Sequence, residues 1–396
     1  MMISKKKIGL YIHIPFCRRK CKYCDFYSMK KTAELEVKYI NALCNEILLY
    51  KEKLKDYIVD TIFIGGGTPS YVDISSLETV LNTIYKTYNI SSSAEISIES
   101  NPDSLDINKL INYRKMGINR LSIGVQSLDD DVLKIIGRLH DRSKALSAID
   151  NAIKANFNNL NVDLMFNIPG QNLDNIADTV EIISSRDVKH ISYYSLILEE
   201  KTVLYDDVLA GKIIVGDDEN DREQYYLGRD IMRKNGFLQY EISNFSKKNY
   251  ECKHNLRYWK GQEYIGFGPF SHSYFDNNRY HNIADINKYM MKFGEINLIK
   301  SDEMMDLNVI RNIDEKLNGK DKLFEYIMLR LRLIEGFKIN EINEIFKIDF
   351  EIDFEKEINK LINTKLLIID KKCVRLTCKG LDLSNQVFCE FMEKIY

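Results

Sequence analysis

The sequence predicts an α/β protein: an incomplete (β/α)6 barrel, then a mixed α/β segment, then a mostly helical, winged-helix-like C-terminal domain. Three observations predict it. Short β-rich runs alternate with helix-periodic segments through the first half. Nearly every run ends in glycine, proline or polar residues. Near residue 200 the alternation stops and aromatic, glycine-rich sequence follows.

The β-rich runs are 8–14, 61–64, 94–99, 120–125, 161–166 and 190–198, and helical spacing fills 34–50, 75–88, 104–116 and 172–184 between them. Strand-then-helix units in series argue for a parallel sheet with helices outside. Right-handed crossovers then allow an open sheet or a full or partial barrel. The run ends choose between these: His13-Ile-Pro-Phe-Cys17, Gly65-Gly-Gly-Thr-Pro69, Glu99-Ser-Asn-Pro102, Gly124-Val-Gln126 and Asn167-Ile-Pro-Gly-Gln171. A β/α barrel brings its strand ends to one mouth, where the chemistry sits. A flat sheet gathers ligand contacts at one switch point. Polar ends on so many strands favour the curved, incomplete barrel.

Residues 237–282 are rich in aromatics and read as short strands and turns. Residues 300–320 are polar and read as a linker. Residues 321–396 are mostly helical, with strand-like runs at 366–369 and 374–376. The expected domains are 1–200, 201–300 and 301–396.

Charge excludes one class of partner. The chain has 396 residues, with 56 Lys and Arg against 58 Asp and Glu, a net charge of −2. Neither that balance nor the sparse basic residues of the wing, Lys371-Lys-Cys-Val-Arg375, makes a footprint for nucleic acid. No apolar run is long enough for a membrane span, and the N-terminus lacks the pattern of a secretory signal. A cytoplasmic protein is expected.

Eight cysteines in a chain of this length do not form a disulfide scaffold. Cys17, Cys21 and Cys24 cluster in a C-x3-C-x2-C spacing. Three thiolates on one loop can bind three irons of a cubane cluster and leave the fourth iron open. The amino and carboxylate groups of S-adenosylmethionine (SAM) can occupy that iron. An electron from the reduced cluster can then cleave the sulfonium C–S bond to give a 5′-deoxyadenosyl radical. Structural zinc wants four protein ligands, which this loop does not supply. A redox CxxC at Cys21–Cys24 leaves Cys17 unexplained. The scattered cysteines read as small hydrophobes.

The cysteine loop, with Tyr23 before its last cysteine, resembles that of the radical SAM superfamily. Tyr11-Ile-His-Ile-Pro-Phe-Cys17, Gly65-Gly-Gly-Thr-Pro-Ser70, Glu99-x-Asn-Pro102, Gly117-Ile-Asn-Arg-Leu-Ser122, Gly124-Val-Gln-Ser127, Gly137-Arg-x-His140 and Asn161-Val-Asp163 follow in order. Together they are similar to the oxygen-independent coproporphyrinogen III oxidase branch over about residues 8–290. The resemblance implies a [4Fe–4S] cluster on Cys17, Cys21 and Cys24. It places Gly66, Gly67 and Thr68 at the methionine amino end of SAM, and Glu99 at a cofactor hydroxyl or amino group. Gln126, Arg138 and Asp163 become further polar contacts, and Tyr11 lies near the sulfonium.

Two departures separate the chain from the oxidases. Their fourth cysteine, two positions after the third, is Phe26 here, and the first strand starts at about residue 8 without their long N-terminal arm. The remaining branch is the radical SAM heme chaperones, whose H-N-x-x-Y-W signature resembles His254-Asn-Leu-Arg-Tyr-Trp259, which holds the only Trp. That resemblance implies heme at His254, Tyr258 and Trp259, with Cys252 as a second ligand or attachment thiol and His272 as an alternative ligand. Imidazole is a common heme-iron ligand, and aromatic rings cover porphyrin faces. The implied function is heme carriage to acceptor heme proteins, respiratory ones among them, without coproporphyrinogen oxidase activity. A condition-dependent homodimer and peripheral membrane contact during delivery are compatible with it. Two rivals remain: radical decarboxylation of coproporphyrinogen III propionates, and a radical enzyme acting on another substrate.

Overall fold

The computed structural model describes residues 6–294 and 311–396. The first half is β1 (Lys6–Ile14), α1 (Ala33–Leu49), β2 (Tyr57–Gly66), α2 (Ile74–Thr87), β3 (Ile90–Ser100), α3 (Ile107–Lys115), β4 (Arg120–Gln126), α4 (Asp130–Ile135), α5 (Arg142–Lys154), β5 (Asn159–Phe166), α6 (Leu173–Ser184) and β6 (His190–Ser195). The six strands lie side by side in chain order and all run parallel. The expected strand-then-helix series is therefore present.

Strand alternation sorts the two faces. Ile12, Ile64, Ile98, Leu121 and Leu160 pair in register across five strands, and all are fully buried. This apolar row is part of the main core, where the helices contribute Leu43, Leu81, Ile149 and Val180. One position further along, Glu99, Ser122, Asn161 and His190 form a second register row. These side chains are polar, and the first three line the concave side. A side-chain period of two thus places a polar row directly beside the apolar one. The helices start on local signals: Thr32 accepts the Leu35 N–H at 3.2 Å, and Asn172 and Asn175 cap each other's backbone in a capping box.

The chain continues with α7 (Val203–Leu209), α8 (Asp218–Lys234), β7 (Leu238–Glu241), β8 (Asn244–Ser246), α9 (Lys253–Trp259), β9 (Tyr264–Phe267), β10 (His272–Phe275), β11 (Asn278–Asn282), α10 (Ile286–Gly294) and β12 (Arg311–Lys316). β8 joins β6 antiparallel, while β9 crosses to the far edge and joins β1 parallel. Among the described residues the sheet runs β12-β11-β10-β9-β1-β2-β3-β4-β5-β6-β8-β7 and does not close. The aromatic segment thus extends both edges of the barrel sheet. Of the expected linker, 300–310 lie outside the described residues, and Arg311–Lys316 is a strand paired with β11.

The C-terminal region is helical around a small antiparallel sheet, Phe337–Lys338, Cys373–Leu376 and Leu367–Asp370. It has its own core, built on Ile327, Phe350, Val374 and Phe391. No helix among the described residues is long and apolar enough to cross a membrane.

Candidate functional site

The loop after β1 is built from backbone pairing. The Cys17 N–H reaches Met29 O at 2.9 Å, and the Met29 N–H reaches Pro15 O at 2.8 Å. The loop after β2 locks beneath it: the Gly67 N–H donates to Ile14 O at 2.8 Å and the Thr68 N–H to Phe16 O at 2.8 Å. Gly66 sits at φ +112, and a Cβ on Gly67 would lie 2.8 Å from Phe16 O and 3.1 Å from Cys17 Sγ. Only glycines allow the two loops to approach this closely.

Cys17, Cys21 and Cys24 are unbridged, half-buried, and line one wall of a cavity of about 650 Å³. Cys17 Sγ is 3.3 Å from Thr68 Oγ1, and Arg138 Nη1 donates to Cys21 Sγ at 3.5 Å. Burial pushes the Cys17 and Cys24 thiols up, Cys24 to about 11. Thiolates around tetrahedral zinc sit about 3.8 Å apart, given 2.3 Å bonds. The Cys17, Cys21 and Cys24 sulfurs do not all lie within 4.8 Å of one another, a wider spread than a mononuclear site holds. Three free, spread thiols on a cavity wall, with a guanidinium beside one of them, fit a multi-iron cluster.

The opposite wall comes from the ends of β3, β4 and β5. Glu99 Oε2 accepts the Gly66 N–H at 3.1 Å, and its carboxyl is pushed up to about 8 by burial and by the charge of Asp163. Asp163 accepts from Ser122 Oγ at 3.0 Å and from Asn161 Nδ2 at 2.7 Å. Gln126, at φ +71, ends β4 and accepts from Tyr194 Oη at 3.0 Å. Arg138 donates to Gly124 O and, at 2.8 Å, to Asn101 Oδ1, while its buried Nε has no partner. Tyr11 reaches His13 Nδ1 at 3.1 Å. All eight residues expected around SAM line the cavity that holds the three cysteines. Sequence reasoning passed over Asn101, which donates to Thr68 Oγ1 at 3.2 Å and ties the Gly-rich loop to Arg138. It stood inside the quoted strand-end motif; its spatial partners gave no sequence signal.

The heme expectations fare differently. α9 hands Asn255 and Tyr258 to the cavity. His254 is fully buried behind them, with Nδ1 2.9 Å from Thr61 Oγ1, Nε2 2.9 Å from Tyr258 Oη, and its ring stacked on Phe63 at 5.3 Å. Burial, with Arg257 and Arg120 nearby, lowers its pKa to about 3. Both nitrogens are engaged, so the expected iron ligand presents none to the cavity. Cys252 is also fully buried, 3.6 Å from Glu95 Oε1, and burial pushes its thiol up to about 12, a poor setting for covalent attachment. The Trp259 ring is covered by Arg332 at 4.5 Å instead of lying open to a porphyrin. His272 is exposed, but on β10, outside the cavity lining. Glu95, unnoticed in the sequence, accepts the Lys253 and His254 N–H groups at 3.2 and 3.1 Å and so caps α9 from β3.

Residues 11–183 match the Radical SAM superfamily model, and residues 317–383 match the HemN C-terminal domain. The heme chaperone HemW of Lactococcus lactis is 32% identical, over 98% of this chain and 98% of that protein. HemW of Bacillus subtilis is 33% identical over 97% of this chain and 99% of its own. HemW of Buchnera aphidicola from Acyrthosiphon pisum is 35% identical over 99% of this chain and 100% of its own. The structure of Escherichia coli coproporphyrinogen III oxidase HemN superposes with a TM-score of 0.83 over 98% of this chain and 90% of that one. At 20% identity that match speaks for the fold alone. Identity to the chaperones along the full length, on a three-thiol cavity with SAM-type walls, decides the lineage: the chain belongs to the HemW family of radical SAM proteins, with a [4Fe–4S] cluster and SAM as its cofactors.

Proposed function

We propose that this chain is a heme carrier that takes up heme at the cavity mouth and hands it to heme proteins, respiratory ones among them, in the cytoplasm. In this reading Cys17, Cys21 and Cys24 hold the cluster. Tyr11, Gly66, Gly67, Thr68, Glu99, Gln126, Arg138 and Asp163 receive SAM. A cluster held by these three thiols would, when reduced, supply the electron for SAM cleavage. Arg138 offers a charged, forked donor for the cofactor carboxylate. Glu99, whose carboxyl is raised by burial and by Asp163, would offer its oxygen as an acceptor to the amino group of SAM.

The observation that carries the carrier reading is Phe26. It stands where the oxidases have a further cysteine, and it is 63% exposed at the cavity rim. Ile197, 69% exposed, lines the same rim, as do Arg19 and Lys20. Exposed apolar side chains gathered at one opening mark a binding surface. An apolar plate with cations at its border suits a flat macrocycle that carries two propionates.

The test is hemin titration followed in the Soret band, with wild type, Phe26→Asp and His254→Ala. Saturable binding that weakens about 10-fold in Phe26→Asp, the loss of about 1.4 kcal/mol of apolar contact, supports the reading. An anaerobic assay of the cluster-loaded chain with coproporphyrinogen III is the counter-test. Turnover there, with no saturable hemin binding, overturns the carrier.

A further inference from the structure

On the outer edge of the sheet, away from the cavity, two imidazoles and a carboxylate converge. His272 and His281 are direct cross-strand partners in the β10–β11 hairpin, with ring centroids 5.5 Å apart. Asp314 comes from β12, across from β11. Its Oδ1 is 2.5 Å from His281 Nδ1 and its Oδ2 is 3.9 Å from His272 Nδ1. One donor atom from each residue can be chosen so that all three lie within 4.8 Å of one another.

The backbone sets this arrangement. Arg279 pairs with Glu315 and Tyr280 with Ile313, so Asp314 is the extra residue of a β-bulge. Bulges re-aim side chains and recur beside functional sites. The nearby cation is already met: Arg279 grips Glu325 through Nε at 2.6 Å and Nη2 at 2.9 Å. Among the described residues, the two imidazoles are the groups that face the Asp314 charge.

We propose that His272, His281 and Asp314 form a binding site for a divalent first-row transition-metal ion, zinc or its neighbours. Two imidazoles and one carboxylate on one side of an ion, with the other positions left to water, are a common donor set for such metals. The ligands come from three strands, one of them the outermost strand of the sheet. The ion therefore clips β12 to the β10–β11 hairpin at the outer edge of the sheet. Heme is the wrong occupant: donors this close together leave no slot for a macrocycle between them. The site is independent of the heme reading of the cavity.

The experiment is zinc titration by calorimetry on the full chain, cluster loaded under anaerobic conditions so that the three thiols are occupied, and without a histidine tag. Wild type binds one zinc ion per chain and its melting temperature rises with zinc. Asp314→Asn, which keeps the shape and removes the charge, binds at least about 10-fold more weakly. His272→Ala/His281→Ala loses the ion and the zinc-dependent rise. His272 and Asp314 are exposed, so an unchanged zinc-free melting temperature shows that the variants fold. No zinc uptake by wild type, or equal uptake by the variants, overturns the site. So does loss of hemin binding in the double variant with no zinc bound by wild type.

Discussion

The barrel mouth and helix α9 use polar residues in opposite ways. At the mouth, Glu99, Asp163 and Gln126 on their strands, and Arg138 in the loop after α4, have part of their capacity turned to a cavity. In α9, His254 and Arg257 face inward and are consumed by the fold: His254 bridges Thr61 and Tyr258, and Arg257 pairs with Asp60. Asn255 and Tyr258, one position further along, face the cavity. Each pair is three residues apart, the spacing of one helical face. The contrast teaches that a motif names residue types, while helical phase decides which of them meets a ligand.

The largest effect that can break this contrast is at the mouth. Replacing Cys17, Cys21 or Cys24 by Ser removes nearly all iron and sulfide from anaerobically reconstituted protein, read chemically and by visible absorption. Full cluster content in any one of these variants would separate the loop from the cluster.

The next effect belongs to α9. Glu95→Ala takes the acceptor from two helix N–H groups and removes one of the carboxylates near buried Arg120, leaving it Asp163 and Glu99. A loss of about 3–5 kcal/mol is expected, read as a lower denaturant midpoint. An unchanged midpoint would mean that α9 does not depend on this cap.

A smaller effect sharpens the role of His254. His254→Ala costs about 1–3 kcal/mol for two lost buried hydrogen bonds, while the Soret position of bound hemin stays where it is. A shifted Soret band would show that α9 opens and that His254 reaches iron after all.

The smallest effect is a pH dependence. The Glu99 carboxyl is raised from the usual carboxylate range to about 8, so the folded state holds a proton that the unfolded state has lost. Its stabilising contribution is complete at low pH and disappears as pH rises through about 8. The clean window opens above about pH 7.5, where the buried histidines are neutral in both states. There the wild-type melting temperature still falls with rising pH, by about a degree, and Glu99→Gln is flat. Parallel curves for the two proteins would place the dependence elsewhere.

Much of this molecule was legible in its sequence because the signals are local. Strand runs read as 61–64 and 120–125 lie within β2 and β4, and the expected helix 172–184 matches Leu173–Ser184 to within one residue. Periodicity and caps act within a few residues, so such elements can be read one at a time. The polar strand ends were legible for the same reason, and parallel pairing then brought them to one cavity. Less legible were the parallel strand Tyr264–Phe267 beside β1, and the strand Arg311–Lys316 in a stretch read as linker. Short strands at sheet edges have little pattern of their own and depend on partners far away in the chain.

The sequence by itself determined the repeating α/β units, the three-thiol loop and the glycines that let it sit against β2. These depend on residue type and spacing, which the chain carries explicitly. The tertiary structure alone decided which polar groups remain available. It buried His254 and Cys252 behind α9, set Asn101 between Thr68 and Arg138, and brought Asp314 to two histidines of another hairpin. Availability is a property of what packs against a group, and those neighbours come from strands and helices dozens to hundreds of residues away.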